Sequence, residues 1–436
     1  MEKRTRNGLI AVFAGVIIVI MVVILLVPVL KLYREEKEET WRQVETTQKS
    51  GEGNSNIGAQ SVGIEGEGIE SQEIDSGEES KIKGTEQQKE DSLRIVMVGD
   101  MLMHTKVVES GKTEDGTYNF DHLFENVKDT IEEADLALVN QETILGGAEL
   151  GYSGYPCFNT PTELGDAEVK AGFDVILHAT NHTLDKKKAG VENCMEFWDT
   201  NYPDITYLGI NKTQQEQDED IYVYEQNGIK VAILNYTYGT NGIKTPSNMP
   251  FLVNYLDEDK IREDVKKAEN IADFTIVCPH WGTEYVLKQT KEQERWAKIF
   301  FDNGVDLVIG THPHVIEPVE MMYDVTTGHK MLVYYSLGNF VNWSGESRDG
   351  VANRFLGGMA KVTISLDEGG NPMIADYGVI ATVTHVEKKT NGVYTTRLSE
   401  YTQELSLTSE VIKQDDVFSK EYLEGVADKV WGDLWE

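Results

Sequence analysis

The sequence predicts an α/β fold with more than one β-sheet, and two patterns support this. Between residues 93 and 314, short apolar runs that are typical of buried strands alternate with segments whose apolar residues recur at helical spacing. From residue 315 to about 387 the chain becomes rich in strand-forming residues. Alternating βα units followed by a meander of strands are typical of an α/β sandwich.

The predicted strands are runs rich in Val, Ile, Leu and aromatic residues, bounded by polar residues or Gly. Asn227-Gly228 predicts a β-hairpin, because this dipeptide suits the two-residue turns that join antiparallel strands. Gly369-Gly370 is predicted to separate two later strands. In chain order the strand segments are LRIVMVGD, DLALVNQET, FDVILHATNH, IYVYEQNGIKVAILNYT, DFTIVCPHWGTE, VDLVIGTHPH, KMLVYYSLGNFV and MAKVTISLDEGGNPMIADYGVIATVTHVE.

The predicted helices lie between and after these strands. The first, FDHLFENVKDTIEEA, is predicted because its apolar residues fall on one helical face. Gly304 is predicted to end the helix TKEQERWAKIFFDNG, since Gly readily adopts the left-handed conformation just beyond a helix. The other predicted helices are ELGDAEVKAG, KAGVENCMEFWDT, LDEDKIREDVKKAENIA and SKEYLEGVADKVWGDLW.

Residues 1–34 are predicted to form a cytoplasmic tip and a transmembrane signal anchor. After the basic start MEKRTR, an uncharged and mostly apolar run extends from Gly8 to Leu30. At about 1.5 Å of rise per residue, this run can cross a hydrocarbon core of about 30 Å. It is longer than the apolar region of a usual signal peptide, and no clear cleavage pattern follows it. We therefore expect a single-pass protein of the cell membrane with an extracellular C-terminal domain; cleavage of the segment is the alternative.

Residues 35–91 are predicted to form a disordered acidic linker. They are rich in Glu, Gly, Ser and Gln, with 16 acidic residues against 6 basic ones. Such a segment buries too little apolar surface to offset the entropy cost of ordering it. We expect the folded part to comprise a domain at 92–387 and a C-terminal extension at 388–436, with a strand and a helix.

The formal net charge of the 436-residue chain is -34, which argues against nucleic acid as a partner. A polyanionic ligand would need a local cation, such as a metal ion or the basic run from Lys186 to Lys188. The three cysteines form no CxxC pair, so a disulfide framework is not indicated.

Five predicted strands end in side chains that can bind metal ions. In chain order these are Asp100; Asn140 and Glu142; Asn181 and His182; His280; and His312 and His314. Because sites in α/β sheets form at the carboxyl ends of strands, these residues are expected to converge. Carboxylate, amide and imidazole ligands together suit Mn, Zn or Fe. We expect one divalent ion, or two bridged by Glu142.

The pair of histidines in GTHPH contributes a further expectation. In an extended backbone, His312 and His314 would lie on the same side, because side chains two residues apart share one face of a strand.

Six motifs, in this order, resemble those of the bacterial capsule-synthesis CapA/PgsA family, the poly-γ-glutamate synthesis proteins. They read GDMLMH, VNQET, ATNHTLD, PHWGTEY, GTHPHVIEPVE and YSLGNFV, and they cover about residues 93–341. That family is similar to calcineurin-like metallophosphoesterases. The resemblance implies a four-layer αββα sandwich and a dinuclear metal site. The metal ligands that it implies are Asp100, Glu142, Asn181, His280, His312 and His314.

The sequence departs from the metallophosphoesterase pattern at two points. Leu102 stands where that pattern has a histidine, and His104 could replace it only if the loop curls back. The acid that follows Asn-His is Asp185, three residues beyond His182 rather than adjacent to it. We expect His182 to act as the general acid or transition-state donor and Asp185 to orient it.

Two functions remain open at this point. One is a membrane-anchored extracellular hydrolase that uses a metal ion to cleave a phosphoester or an amide of a capsule polymer such as poly-γ-glutamate. The other is a non-catalytic accessory subunit, whose partners would be the subunits of a polymer synthase and export complex and the anionic polymer itself. Resemblance to a family does not decide between them.

Overall fold

The computed structural model describes residues 92–436. The predicted anchor at 1–34 and the predicted linker at 35–91 lie outside the described residues. Among the helices of residues 92–436, none is both long enough and apolar enough to cross a membrane.

Strands and helices alternate through the first two thirds of this part. The strands are β1 Ser92–Met101, β2 Leu136–Asn140, β3 Val175–Leu177, β4 Thr206–Leu208, β5 Tyr222–Gln226, β6 Ile229–Thr237, β7 Phe274–His280, β8 Leu307–Ile309, β9 Val319–Tyr323, β10 Lys330–Tyr334, β11 Asn339–Val341, β12 Leu356–Leu366, β13 Pro372–Val386 and β14 Val393–Arg397. The α-helices are α1 Thr105–Ser110, α2 Lys128–Glu132, α3 Glu163–Ala171, α4 Lys187–Asn201, α5 Gln214–Glu219, α6 Glu258–Ile271, α7 Lys291–Asp302, α8 Gln403–Ser406 and α9 Lys420–Trp431.

The strands form two mixed sheets. The first has the order β14-β13-β12-β1-β2-β3-β4, with β11 also paired to β1; the second has the order β5-β6-β7-β8-β10-β9. Neighbours from β1 to β4 run parallel, as do neighbours from β6 through β7 and β8 to β10. The outer pairs β12–β13 and β5–β6 are antiparallel. The prediction of an α/β fold with more than one sheet is confirmed.

The two sheets face each other across a shared apolar core. Met97 of β1 and Cys278 of β7 meet there, with their sulfur atoms 3.8 Å apart. A second core lies on the other face of the second sheet, where Val277 and Val308 pack with Val265 of α6 and Phe300 of α7. All of β2 is buried, so the first sheet is covered on both faces as well.

Helices α3 and α4 contribute to the covering of the first sheet. Leu164 and Ala167 of α3 and Val191 and Trp198 of α4 belong to the same apolar cluster as the first sheet. The layers are therefore helices, sheet, sheet and helices, and the parallel strands that carry the site, β1, β2, β3, β7 and β8, are inner strands.

Local turn chemistry agrees with the sequence at two glycines. The turn between β5 and β6 has φ of 54° at Asn227 and 77° at Gly228, so the predicted hairpin is confirmed. Gly304 follows α7 with φ of 103°, as expected of a residue just beyond a helix end.

The predicted helix FDHLFENVKDTIEEA is wrong as a single element. The segment contains a 3-10 turn at Asp121–Leu123 and the short helix α2 at Lys128–Glu132. Its aromatic residues are held by distant partners: Phe124 packs edge-on against Phe173 and stacks on Phe340. These tertiary contacts override the local helical preference.

Residues after 387 pack onto the same body. Strand β14 pairs with β13 at the edge of the first sheet. Helix α9 buries Leu423 and Ala427 in the shared core, and Trp431 donates its indole N–H to the carbonyl oxygen of Glu317 at 3.1 Å.

Candidate metal centre

The carboxyl ends of β1, β2, β3, β7 and β8 meet at one edge of the two sheets, as the sequence led us to expect. Two groups of three side chains there are able to hold a metal ion: Glu142, His280 and His312, and Asp100, Glu142 and His314. Within each group the ligand atoms lie within 4.8 Å of one another. All five side chains are buried, and Glu142 is common to both groups.

One half of the centre is organised around Asp100. Its Oδ2 lies 3.1 Å from Nδ1 of His314, and its Oδ1 accepts a hydrogen bond from Nδ2 of Asn140 at 2.8 Å. The backbone N–H of His312 lies 3.3 Å from both carboxylate oxygens. These contacts fix the carboxylate between the two sheets, because Asn140 comes from the first and the two histidines follow a strand of the second.

The other half is organised around His280. Its Nε2 lies 3.0 Å from Oδ1 of Asn181, and its Nδ1 lies 3.1 Å from Oγ1 of Thr311. The rings of His280 and His312 are 4.8 Å apart between centroids. Burial, together with the neighbouring imidazoles, lowers the pKa of His280 and of His312 well below the usual range. Both rings are therefore neutral, the form in which imidazole binds a metal ion.

Glu142 lies between these two halves. Its Oε1 is 3.6 Å from Nε2 of His314 and 3.9 Å from Nε2 of His280. Burial raises the pKa of Glu142 well above its usual value; the charge on His314 opposes this shift and the carboxylate of Asp100 adds to it.

The unpaired atoms around Glu142 fit divalent cations. Both carboxylate oxygens of Glu142 are buried and find no hydrogen-bond partner within residues 92–436, and the same holds for Oδ1 of Asn140 and Nδ1 of His312. Buried polar atoms without a hydrogen-bond partner are costly in a closed protein interior. Oxygen and imidazole-nitrogen donors around a shared carboxylate suit divalent metal ions. The donor set therefore fits the metal ions that the sequence predicts.

The two histidines of GTHPH do not lie in the extended backbone that we expected. His312 has φ of 101° and His314 has φ of 58°, and both are left-handed conformations that side chains with a Cβ rarely adopt. Their rings nevertheless lie 5.7 Å apart between centroids. Strain of this kind costs on the order of 1–3 kcal/mol per residue and is typical of functional sites. Placement of the imidazoles, rather than strand geometry, dictates this loop.

His182 and Asp185 form a pair at the margin of the centre. Nδ1 of His182 lies 2.7 Å from Oδ2 of Asp185, which also accepts the backbone N–H of Phe158 at 2.7 Å. The ring of Phe158 lies edge-on to His182, 4.6 Å away between centroids. The free nitrogen, Nε2, points toward the centre and lies 4.0 Å from Oε1 of Glu142.

Leu102 and His104 lie where one ligand differs from the metallophosphoesterase pattern. Leu102 is buried and donates its backbone N–H to the carbonyl oxygen of Val341 at 3.1 Å. His104 precedes α1, and its ring packs against Phe158 at 5.3 Å between centroids. Burial and the charges of His314 and His182 lower the pKa of His104 to about 3. His104 thus lies near the centre, but it belongs to neither group of three.

Several side chains at the centre received no role from the sequence. Oδ1 of Asn339 lies 3.0 Å from Nδ1 of His314 and accepts a hydrogen bond from it when that nitrogen is protonated. Asn339 lies in YSLGNFV, a motif that the resemblance includes. The half-exposed rings of Tyr238 and Tyr285 lie 4.6 Å from His312 and 5.9 Å from His314 between centroids. Tyr238 directly follows β6, but tyrosine was not among the metal-binding residue types that were considered at strand ends. Tyr285 lies in a loop, away from any strand end.

Two sequence relatives of this chain are both CapA proteins of Bacillus species. Capsule biosynthesis protein CapA of Bacillus anthracis is 27% identical over 273 residues, which are 60% of this chain and 63% of that protein. PGA biosynthesis protein CapA of Bacillus subtilis (strain 168) is 30% identical over 178 residues, 40% of this chain and 44% of that protein. The chain therefore spans less than two thirds of the length of either relative.

Solved structures with similar folds are more distant in sequence. The NAD nucleotidase of Haemophilus influenzae is 11% identical, with a TM-score of 0.43 over 79% of this chain and 63% of that one. A putative 5′-nucleotidase from Staphylococcus aureus is 14% identical, with a TM-score of 0.44 over 77% of this chain and 58% of that one.

A model of the family described as bacterial capsule synthesis protein PGA_cap matches residues 94–344. The match covers more than half of the chain and includes every side chain of the two metal-binding groups. The chain belongs to the bacterial capsule synthesis protein PGA_cap family.

Proposed function

We propose that this protein is a metal-dependent hydrolase of capsule-polymer biosynthesis, and that it acts on poly-γ-glutamate or a similar anionic polymer outside the cell. The observation that carries the proposal is Glu142. Its buried carboxylate is shared by two potential metal sites, and its two oxygens have no hydrogen-bond partner in the part of the chain that the structure describes. A buried carboxylate in this state has a clear use as a bridge between cations.

In this proposal, Asp100, Glu142 and His314 would hold one ion, and Glu142, Asn181, His280 and His312 would hold the other. When bound, divalent ions would supply Lewis acidity to the attacked bond and a lowered pKa for the attacking water. The chain itself supplies a closed site, because the five side chains of the two groups are buried. The side chains that would hold the ions are thus shielded from bulk solvent before a substrate binds.

His182 is proposed to deliver the proton that the leaving group needs. In its protonated form, Nδ1–H donates to Asp185 and Nε2–H faces the centre, 4.0 Å from Oε1 of Glu142. Asp185 is itself held by the N–H of Phe158, so the pair keeps one orientation. A positioned imidazole of this kind contributes about 10²- to 10⁴-fold to a hydrolysis rate.

Attachment to the cell membrane is part of the proposal. It is supported by the apolar run from Gly8 to Leu30 and by the polar segment at 35–91 that follows it. We expect the full chain in the membrane fraction and the domain accessible to protease on intact cells. Release of the whole protein by high salt, or protection of the domain, would contradict this part.

The hydrolase proposal is tested by metal content and turnover together. The protein is loaded with Mn, Zn or Fe and assayed with bis(p-nitrophenyl) phosphate and with a γ-linked glutamate oligomer. We expect Glu142→Gln to lose bound metal and turnover, because it removes the bridging charge. We expect His182→Gln to keep bound metal and to lose most of the turnover, because it removes only the proton donor.

Glu168→Gln is the matched control for Glu142→Gln. Glu168 lies in α3 and is fully buried, and burial raises its pKa. Among the residues that the structure describes, its two oxygens have no partner and it belongs to neither metal-binding group. The control variant should keep metal and turnover. If native protein binds metal but turns over neither substrate, or if both glutamate variants behave alike, the hydrolase proposal is wrong.

One observation favours a non-catalytic accessory role instead. The buried Leu102 supplies no ligand at the position where the metallophosphoesterase pattern has a histidine. If that role is correct, polymer synthase subunits should co-purify with the full chain, and they should do so equally well with Glu142→Gln.

A further inference from the structure

We propose that Arg354 binds a free carboxylate of the substrate beside the metal centre, and that Glu346 occupies this carboxylate position in the free protein. The inference rests on the proposed function, since it names the charge that a substrate brings to that site. It adds a residue that does not come from a strand end, because Arg354 lies in the 3-10 turn Ala352–Phe355.

Arg354 is connected to the centre through two neighbours of His314. Nδ2 of Asn339 donates to the carbonyl oxygen of Arg354 at 2.9 Å, while Oδ1 of Asn339 lies 3.0 Å from Nδ1 of His314. The guanidinium carbon of Arg354 lies 3.6 Å from the ring centroid of Tyr285, and that ring is 5.9 Å from the ring of His314. The positive charge is thus separated from a metal-binding imidazole by a single aromatic ring.

The guanidinium of Arg354 is buried with incomplete pairing. Its side chain is 3% exposed, and its charged contact is Nη2 to Oε2 of Glu346 at 2.9 Å. Nη1 reaches Oγ of Ser344 only at 3.5 Å, and among the described residues Nε has no partner. Since a guanidinium presents five N–H groups, this one keeps donors for a further acceptor. A buried cation with a spare donor is unfavourable unless a ligand completes it.

The carboxylate of Glu346 is suited to give up this position. Its side chain is 54% exposed, and Arg348 offers it a second contact at 3.2 Å. The backbone of this loop is held separately, because Nε2 of Gln414 donates to the carbonyl oxygens of Ser344 and Glu346 at 2.7 and 2.6 Å. The carboxylate is therefore able to swing toward solvent while the loop stays anchored.

The chemistry of this position selects a carboxylate. Its internal occupant is a carboxylate, and the planar guanidinium fork matches two carboxylate oxygens. In a γ-linked glutamate chain, each amide bond lies beside a free α-carboxylate. A chain of net charge -34 needs a fixed cation to hold such a polyanion near Asp100 and Glu142. Arg354 provides that cation next to the bond that the centre would attack.

The test compares two γ-linked glutamate tripeptides, one with free α-carboxylates and one with α-carboxamides. Their dissociation constants are measured calorimetrically on the full chain. We expect native protein to prefer the charged peptide, and Arg354→Gln to weaken that peptide about 10- to 100-fold while leaving the neutral one unchanged. Arg354→Lys should recover part of the loss. Glu346→Gln should bind the charged peptide more tightly than native protein, since it removes the internal competitor.

Arg348→Gln is the matched control, because Arg348 also contacts Glu346 and lies over Tyr285 but is 56% exposed. It should change the affinity for neither peptide by more than about 2-fold, as expected for an exposed ion pair. Equal effects of Arg354→Gln on both peptides would reveal a structural role only. If Arg354→Gln does not fold, Glu346→Gln decides: unchanged or weaker binding of the charged peptide overturns the inference.

The inference and the proposed function fail separately. If native protein hydrolyses both peptides with equal KM, the hydrolase proposal is supported and the proposal that Arg354 binds substrate is wrong. Charge-selective binding that depends on Arg354, without turnover, supports the inference and removes the hydrolase.

Discussion

Two side chains of the centre, Glu142 and His314, hold between them a proton that a metal ion would have to displace. Burial alone would lower the pKa of His314, but the carboxylates of Glu142 and Asp100 raise it to about 9. Burial raises the pKa of Glu142 well above its usual value. Because the charge of Glu142 contributes to the raised pKa of His314, the two side chains titrate as a pair. In the metal-free protein near neutral pH, the pair keeps a proton that neither a bridging carboxylate nor a ligating imidazole nitrogen can retain.

We accordingly expect metal binding to release protons. Because the free protein gives up His314's proton only near pH 9, metal affinity should rise as pH rises from 6 to 8. The rise should be about 10-fold per pH unit for each proton released. Calorimetric titration with Mn²⁺ in two buffers of different ionisation enthalpy counts these protons directly. Identical apparent heats in the two buffers would contradict the expectation.

At the scale of the element, the tendency of sites in α/β sheets to form at the carboxyl ends of strands explains which site residues the sequence could reveal. Asp100, Glu142 and His280 follow or end apolar strands, so sequence pattern and α/β geometry together place them at one edge. Asn339 begins β11 instead of ending a strand, and Tyr285 lies in a loop. Their approach to His314 depends on how the chain returns after β8, which no local pattern encodes.

The close approach of β1 and β11 supports the first metal-binding residue. A Cβ added to Gly99 would lie 2.0 Å from the carbonyl oxygen of Gly338, which is far inside contact distance. The next residue, Asp100, pairs with Asn339 in the β1–β11 ladder. We expect Gly99→Ala to separate these strands, to lower the free energy of unfolding by about 2–4 kcal/mol, and to weaken metal binding. Urea unfolding and metal titration measure the two effects.

Gly425→Ala is the control for Gly99→Ala. Gly425 is exposed within α9, and an added Cβ would meet nothing within 4 Å. Because Ala is the better helix former, the free energy of unfolding of this variant should rise by about 0.5–1 kcal/mol, and its metal affinity should stay unchanged. If Gly99→Ala is as stable as the native protein and binds metal equally well, the β1–β11 contact does not constrain Asp100.

At the scale of the whole molecule, the two sheets were easier to predict than their assembly. Runs such as TIVCPH and LALVN mark buried strands by composition alone. The order of the strands, and the pairing of β14 with β13 at the edge of the first sheet, depend on contacts between residues far apart in the chain. The helix prediction for segment 120–134 was wrong because Phe124 packs against Phe173 and Phe340, which are distant in the chain, rather than against neighbours on its own helical face.

Glu317 is a buried carboxyl that joins distant parts of the fold. Its Oε2 accepts from Nε2 of Gln293 in α7 at 2.6 Å, and its carbonyl oxygen accepts from Trp431 in α9. Burial raises its pKa from 4.5 to about 8. The unfolded chain therefore loses this proton near pH 4.5 while the folded protein keeps it to about pH 8. Across that window the folded state binds more protons, so stability falls as pH rises and levels off above pH 8.

We expect Glu317→Gln to remove this part of the pH dependence. Glutamine keeps an oxygen for Gln293 but does not titrate, so the variant should match native protein near pH 4 and exceed it at pH 9 by roughly 2–4 kcal/mol. Urea unfolding at both pH values measures this difference. Burial also raises the pKa of Asp306, to about 7. The free energy of unfolding of the variant should therefore still fall with rising pH, but by less than that of native protein.

The net charge of -34 offers a competing cause for any loss of stability at high pH, because like charges repel in the compact state. Glu404→Gln separates the two, since it removes the same charge from an exposed position in α8. Salt screens repulsion between exposed charges far more than it affects a buried carboxyl. The gain of Glu317→Gln at pH 9 should therefore persist in 0.5 M salt, at roughly its low-salt size, while any gain of Glu404→Gln disappears. Equal gains that both vanish in salt would assign the pH dependence to surface repulsion and remove Glu317 from it.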